Sequence, residues 1–268
     1  MRISKSQAIV LLLSIAIIGS LTYMGFKTSR VSQDDATAVS VVTNSLEMLT
    51  DEELNSLPDS LKAQINAENN NPVVLKQLIS GMDSLGKRLV AARLMEQLAG
   101  LDPNESNWMI AGSKYYSIAV MSNDSNLFQD AGSHARDAFE KALQLNPQSL
   151  DAKNALASCY VDIDKDIMKG VGLLKQVVAT DSNNVQALFT LGMLSMQSGQ
   201  WDKARQRFER LTELQPFNPE YYYYVGEVYA KSGDTKAAIE SYEKCKTLLK
   251  DKAAQKEIQT LIDKLKSI

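Results

Sequence analysis

Small, bulky and glycine residues return along this chain at intervals of about 34 residues, a period that specifies a row of stacked helical hairpins rather than one central core. In the clearest copy, Leu191-Gly192, Gly199, Ala204, Phe208 and Pro216 stand at offsets that largely recur as Val225-Gly226, Gly233, Ala238 and Tyr242. With Pro72, Glu105, Leu150, Val185 and Pro219 as first positions, five copies span 72–104, 105–149, 150–184, 185–218 and 219–252. Each copy reads as two helices, A and B. Helix A carries a tight pair at Leu78-Ile79, Ala111-Gly112, Leu156-Ala157, Leu191-Gly192 and Val225-Gly226; helix B supplies Ala91, Ala135, Gly170, Ala204 and Ala238. Small residues are needed where two helices approach closely, and Met95, Phe139, Leu174, Phe208 and Tyr242 are the bulky partners that fill the space left. Pro103, Pro147 and Pro216 close three copies, where the next helix must not begin early.

Two copies depart from the pattern. In the second, roughly ten extra residues around Asn123-Asp124-Ser125-Asn126 predict a long connection between its helices and the weakest joint of the stack. The third has an extra residue and no closing proline.

This spacing resembles the tetratricopeptide repeat over 72–252, most specifically in the copies 185–218 and 219–252. The resemblance implies an all-α fold, a right-handed solenoid of about five hairpins, with binding on its concave face. Apolar Ile258, Leu261, Ile262 and Leu265 make 253–268 a capping helix, with Lys and Gln outward.

Ahead of the repeats lies a different material. After a short tail, 1–7, residues 8–26 run without a charge; as a helix they would span about 28 Å, close to the hydrocarbon thickness of a bilayer. The competing reading, a cleaved signal peptide, wants a small-x-small site that Thr22 to Lys27 does not offer. The expectation is a single-pass membrane protein, in a bacterium an inner-membrane one with the repeats periplasmic, although Arg2 and Lys5 before the run nearly balance Lys27 and Arg30 after it. Residues 27–71 read as an acidic, partly helical linker: Asp34, Asp35, Glu47, Asp51, Glu52, Glu53, Asp59 and Glu68 face only Arg30 and Lys62 from residue 28 onward. Thr50-x-x-Glu53 is a capping box, a second short helix is expected from Asp59 to Ala67, and Asn69-Asn70-Asn71-Pro72 is a breaker.

In the resemblance, helix A positions two, five, nine and twelve line the concave face. The candidate partner-binding residues on it are Met109, Tyr116, Asn154, Phe189, Met193, Met196, Tyr223 and Glu227. Methionine supplies adaptable contacts and tyrosine an amphipathic rim, which suits a protein or peptide client with an apolar or amphipathic segment. The same stripe at helical spacing also fits core covered by a neighbouring helix. A carboxylate clamp is not expected, since only Lys76 and Asn154, in copies that are not adjacent, offer its residue types.

A formal net charge of -3 on 268 residues argues against nucleic acid, whose binders carry a basic face. No enzyme is expected. His134 is the single histidine and has no company for a triad, a zinc site or a haem ligand; Gly170-x-Gly172 lies in a helix with no strand before it; and Asp162, Asp164 and Asp166 read as solvated turn acids. No cofactor, metal or small-molecule substrate is implied. Cys159 and Cys245 read as buried thiols in copies that are not neighbours. Two functions remain open: a membrane-anchored adaptor or chaperone that holds a client segment, and a structural subunit of a larger membrane complex. In outline, anchor plus repeats resembles the tetratricopeptide subunits of bacterial cytochrome c maturation systems, which present apocytochrome to the haem-attaching machinery; no haem-handling residue carries over.

Overall fold

Helix ends in this chain are written by its asparagines, aspartates and glycines. The computed structural model describes residues 71–267 together with Asp59. Residues 71–267 form eleven helices, and no strand occurs among the described residues: α1 Pro72–Ser84, α2 Arg88–Leu101, α3 Glu105–Met121, α4 Ser125–Leu145, α5 Leu150–Asp162, α6 Ile167–Thr180, α7 Val185–Gln197, α8 Trp201–Leu214, α9 Pro219–Ser232, α10 Thr235–Leu248 and α11 Lys252–Lys266. Asn71, Asn104, Ser149, Asn184 and Asn218 each accept an early backbone N–H of the A helix that follows, satisfying one of its orphan donors. Gly86, Gly199 and Gly233, at φ 71°, 70° and 90°, turn the chain from helix A to helix B in the first, fourth and fifth hairpins. In the third hairpin the extra residue is absorbed by a four-residue turn in which Lys165 takes the left-handed conformation, at φ 58°.

Each helix packs on the next from α1 to α11, so the core is a chain of local clusters rather than one centre. Glycine at the tight position of helix A is a steric requirement. A Cβ on Gly112 would stand 2.5 Å from the Phe139 ring, and one on Gly226 would stand 2.7 Å from the Tyr242 ring. In the third hairpin the hole is on the other helix, where a Cβ on Gly170 would stand 2.5 Å from Val161. Ala135, Ala157, Ala204 and Ala238 are fully buried.

The second hairpin departs from the expected long connection. Ser122, Asn123 and Asp124 alone separate its helices, and the extra residues lengthen them: α3 has 17 residues and α4 has 21, against 13 and 14 in α7 and α8. The Asp124 carboxylate caps α4 by accepting from Asn126 and Leu127, at 2.7 and 3.1 Å. This is a deeper hairpin with more interhelical surface, not a loose joint.

Among the described residues no helix is long and apolar enough to cross a membrane. The apolar run 8–26 and the capping box at Thr50 lie outside the described residues, as does most of the linker. Asp59 is helical.

Candidate functional site

The A helices stand side by side, and a side-chain contact joins every consecutive pair. Lys114 of α3 meets Asp83 of α1 at 2.6 Å. The Tyr116 hydroxyl of α3 donates to Asp162 at the end of α5, at 2.5 Å. Asn154 of α5 donates through Nδ2 to Asn184, the cap of α7, at 3.0 Å. Phe189 of α7 packs on Tyr221 and Tyr224 of α9, with ring centroids 6.2 and 5.5 Å apart. The face so formed is continuous from α1 to α9.

A second set of bonds ties neighbouring hairpins together. Tyr115 donates to Glu96 at 2.8 Å, Tyr160 to Glu140 at 3.2 Å and Tyr229 to Glu209 at 2.5 Å. Each joins the same position of helix A to helix B of the preceding hairpin. The signal was present in the sequence as a glutamate 19 or 20 residues before a tyrosine, but spacing alone does not say that the two side chains meet.

The candidate partner-binding residues divide on this face. Phe189, Met193 and Met196 lie together along α7, half-buried against the cluster of Phe208, Tyr221, Tyr223 and Tyr224. Met109 and Tyr116, also half-buried, sit two hairpins away on α3. Two candidates are corrected. Asn154 is 1% exposed, held by Asn184, with its Oδ1 buried and unpartnered. Tyr223 is 7% exposed and tucked against Tyr224 and Tyr242, so it is core rather than rim. Glu227 and Tyr116 are occupied by intramolecular bonds, Glu227 accepting from the Tyr242 hydroxyl at 2.5 Å. Of the remaining concave positions, Val73 is 64% exposed and Lys76 is exposed.

Glu220, on the first turn of α9, is 4% exposed, and among the described residues no hydrogen bond or ion pair reaches its carboxyl. Burial pushes that carboxyl up to about 7. Burial, with Glu220 adding to it, also raises Tyr221, to about 12, and Tyr224.

The turn acids of the third hairpin are not merely solvated: Asp162 holds Tyr116, Asp164 accepts from Arg136 at 2.8 Å, and Asp166 caps α6 through Lys169 N. His134 stacks on Tyr115 and lies 3.1 Å from Glu96. Among the described residues no group of three or more His, Cys, Asp or Glu is placed to hold a metal ion. Cys159 and Cys245 are buried free thiols, both pushed up to about 12, chiefly by burial.

Residues 189–248 match the family model described as tetratricopeptide repeat. The tetratricopeptide-repeat fold extends beyond that match. The structure of MamA 41-end from Desulfovibrio magneticus RS-1 superposes with a TM-score of 0.54 at 18% identity, covering 66% of this chain and 94% of that one. YrrB, described as a TPR protein with an unusual peptide-binding site, superposes with a TM-score of 0.51 at 20% identity, over 75% and 98%. At those identities the likeness is one of fold. The curated protein BBSome complex member BBS4 of Bos taurus is 26% identical over 63% of this chain, and the match takes in 30% of that relative's length.

Proposed function

We propose that this chain is a non-catalytic scaffold that holds an apolar or amphipathic protein segment against the α7 and α9 end of its A-helix face, tethered to a membrane by residues 8–26. The carrying observation is the stripe of Phe189, Met193 and Met196, large apolar side chains left half-buried in a row over an aromatic cluster. Methionine is suited to such a surface because its unbranched thioether adapts to different partners. YrrB shares the fold and is described as having a peptide-binding site, which supports the same use of it here. The order of apolar run, acidic linker and repeats underlies the finer reading, a periplasmic role in envelope protein biogenesis such as cytochrome c maturation.

The structural-subunit reading draws on a separate observation. Phe217 is 81% exposed and Met168 79%, and neither belongs to the α7 stripe. A surface permanently covered in a larger complex would account for both.

Affinity capture of the full-length protein from its own cells, beside a Met193→Ala/Met196→Ala variant, separates the two. The methionines are the cleaner probes, because Phe189 also packs on Phe208, Tyr221 and Tyr224. Partners lost only from the double variant, with its unfolding midpoint close to wild type, support the scaffold reading. Partners retained by the variant but lost on Phe217→Ser/Met168→Ser support the subunit reading.

A further inference from the structure

Four helices begin with an acid in their first turn, the position where the helix dipole favours one: Glu105, Asp151, Asp202 and Glu220. Three are ordinary. Glu105 accepts from Asn146 at 2.7 Å, Asp151 is exposed, and the side chain of Asp202 is 88% exposed. Glu220 differs from all of them in being 4% exposed with no hydrogen bond or ion pair to its carboxyl among the described residues. A carboxylate largely taken out of water without a partner is unfavourable, and no capping role explains it, because the Asn218 side chain already accepts from the Glu220 N–H at 3.0 Å.

Its neighbourhood connects it to the stripe. Glu220 acts electrostatically on Tyr221 and Tyr224, and both rings pack on Phe189. The charge pattern of the face points one way. On α5, α7 and α9 the concave positions two, five, nine and twelve carry Asp151, Glu220 and Glu227 and no lysine or arginine. Glu227 already accepts from Tyr242, and Asp151 is exposed to water, which leaves Glu220 as the largely buried acid with open acceptor capacity on the helix whose Tyr221 and Tyr224 pack on Phe189.

We propose that Glu220 is the polar anchor of this surface and receives the cationic side chain, lysine or arginine, of a client segment whose apolar side chains lie on Phe189, Met193 and Met196. The client is thus an amphipathic segment with a base within about one helical turn of its apolar residues. A base entering this site meets an acceptor that is largely buried yet still reached by water, where a charge-assisted bond is stronger than one at a fully exposed carboxylate. The inference rests on the scaffold reading of the same face.

The test uses a random-peptide display library panned on the full-length chain at about pH 8, where Glu220 is ionised. Four targets are compared: wild type, Glu220→Gln, Glu220→Met as a second neutral substitution, and Met193→Ala/Met196→Ala, each verified as helical by circular dichroism. Wild type is expected to select peptides with lysine or arginine enriched several-fold over the starting library, next to apolar residues. The Glu220 variants are expected to select the apolar pattern without the basic enrichment. Equal basic enrichment on wild type and the Glu220 variants, or none on either, overturns the role of Glu220 and leaves the surface standing. Peptides selected equally well by the methionine variant, or no selection by wild type, overturn the surface itself and the anchor with it.

Discussion

A Cβ placed on Gly192 would stand 2.8 Å from Cζ of Phe208, closer than real side chains tolerate. The ring of α8 therefore occupies the place where any other residue of α7 would put its first side-chain atom. Gly192→Leu is expected to cost about 3 kcal/mol by overpacking. Phe208→Leu should recover part of that loss in the double variant, because the two residues share one space. Urea unfolding of the four proteins measures both effects, and strict additivity would mean that the strain is relieved elsewhere.

The tyrosine–glutamate bonds between hairpins predict an order of effects. Tyr115 is 1% exposed whereas Tyr229 is only half-buried, and their acceptors Glu96 and Glu209 are both partly buried. Removing the hydroxyl in Tyr115→Phe should cost about 2 kcal/mol and in Tyr229→Phe about 1 kcal/mol, following the desolvation of each pair. Because the bonds join neighbouring hairpins, the loss should also broaden the unfolding transition. Equal costs at the two sites would show that the geometry of the bond matters more than its burial.

The repeat period was legible because each of its positions answers a steric demand: Gly112, Gly192 and Gly226 face Phe139, Phe208 and Tyr242, and nothing larger fits. The second hairpin departs from its residue pattern for an equally physical reason. Asn123, Asp124, Ser125 and Asn126 are loop formers, but Asp124 also caps a helix, and that capping lets the extra residues on both sides stay helical. On the A-helix face, register told which residues point the same way but not how deep each one lies. Asn154 and Tyr223 share the register of Phe189 and Met193, yet lie buried under contacts with Asn184 and Tyr242. The isolation of Glu220 is a property of its surroundings, and no residue pattern encodes it.

His134 and Glu96 predict a pH window. The hydrogen bond to Glu96 raises His134 above its usual value against the opposing effect of burial, and Asp130 and Asp137 nearby add to the rise. Burial by itself pushes Glu96 up, but the hydrogen bonds from His134 and Tyr115, with the charges of His134 and Lys141, outweigh it and hold the carboxyl low. The histidine's contribution is complete below about pH 6.5 and fades as pH rises through its elevated value; the glutamate's is complete above about pH 4.5 and fades as pH falls through its depressed value. The pair is strongest between those limits. The melting-temperature difference between wild type and His134→Gln should be largest near pH 5.5 and shrink toward pH 8; a flat difference would assign the stabilisation to stacking on Tyr115.

For Glu220 the sign is reversed. Its folded value of about 7 lies above the ordinary 4.5, with burial as the cause, so ionisation disfavours the folded state. The cost begins as pH rises through about 4.5 and levels off beyond about 7, where it amounts to about 3 kcal/mol. Glu220→Gln should therefore match wild type near pH 4.5 and be more stable at pH 8, the gap widening in between. A residue that weakens its own fold at neutral pH fits a polar group poised for a partner better than one that serves folding. A bound cation would reverse the cost, so a peptide selected on wild type for its lysine should raise the pH 8 melting temperature of wild type more than that of the Gln variant. If Glu220→Gln is no more stable than wild type at pH 8, water or local movement already satisfies the carboxylate, and the case for a waiting anchor fails.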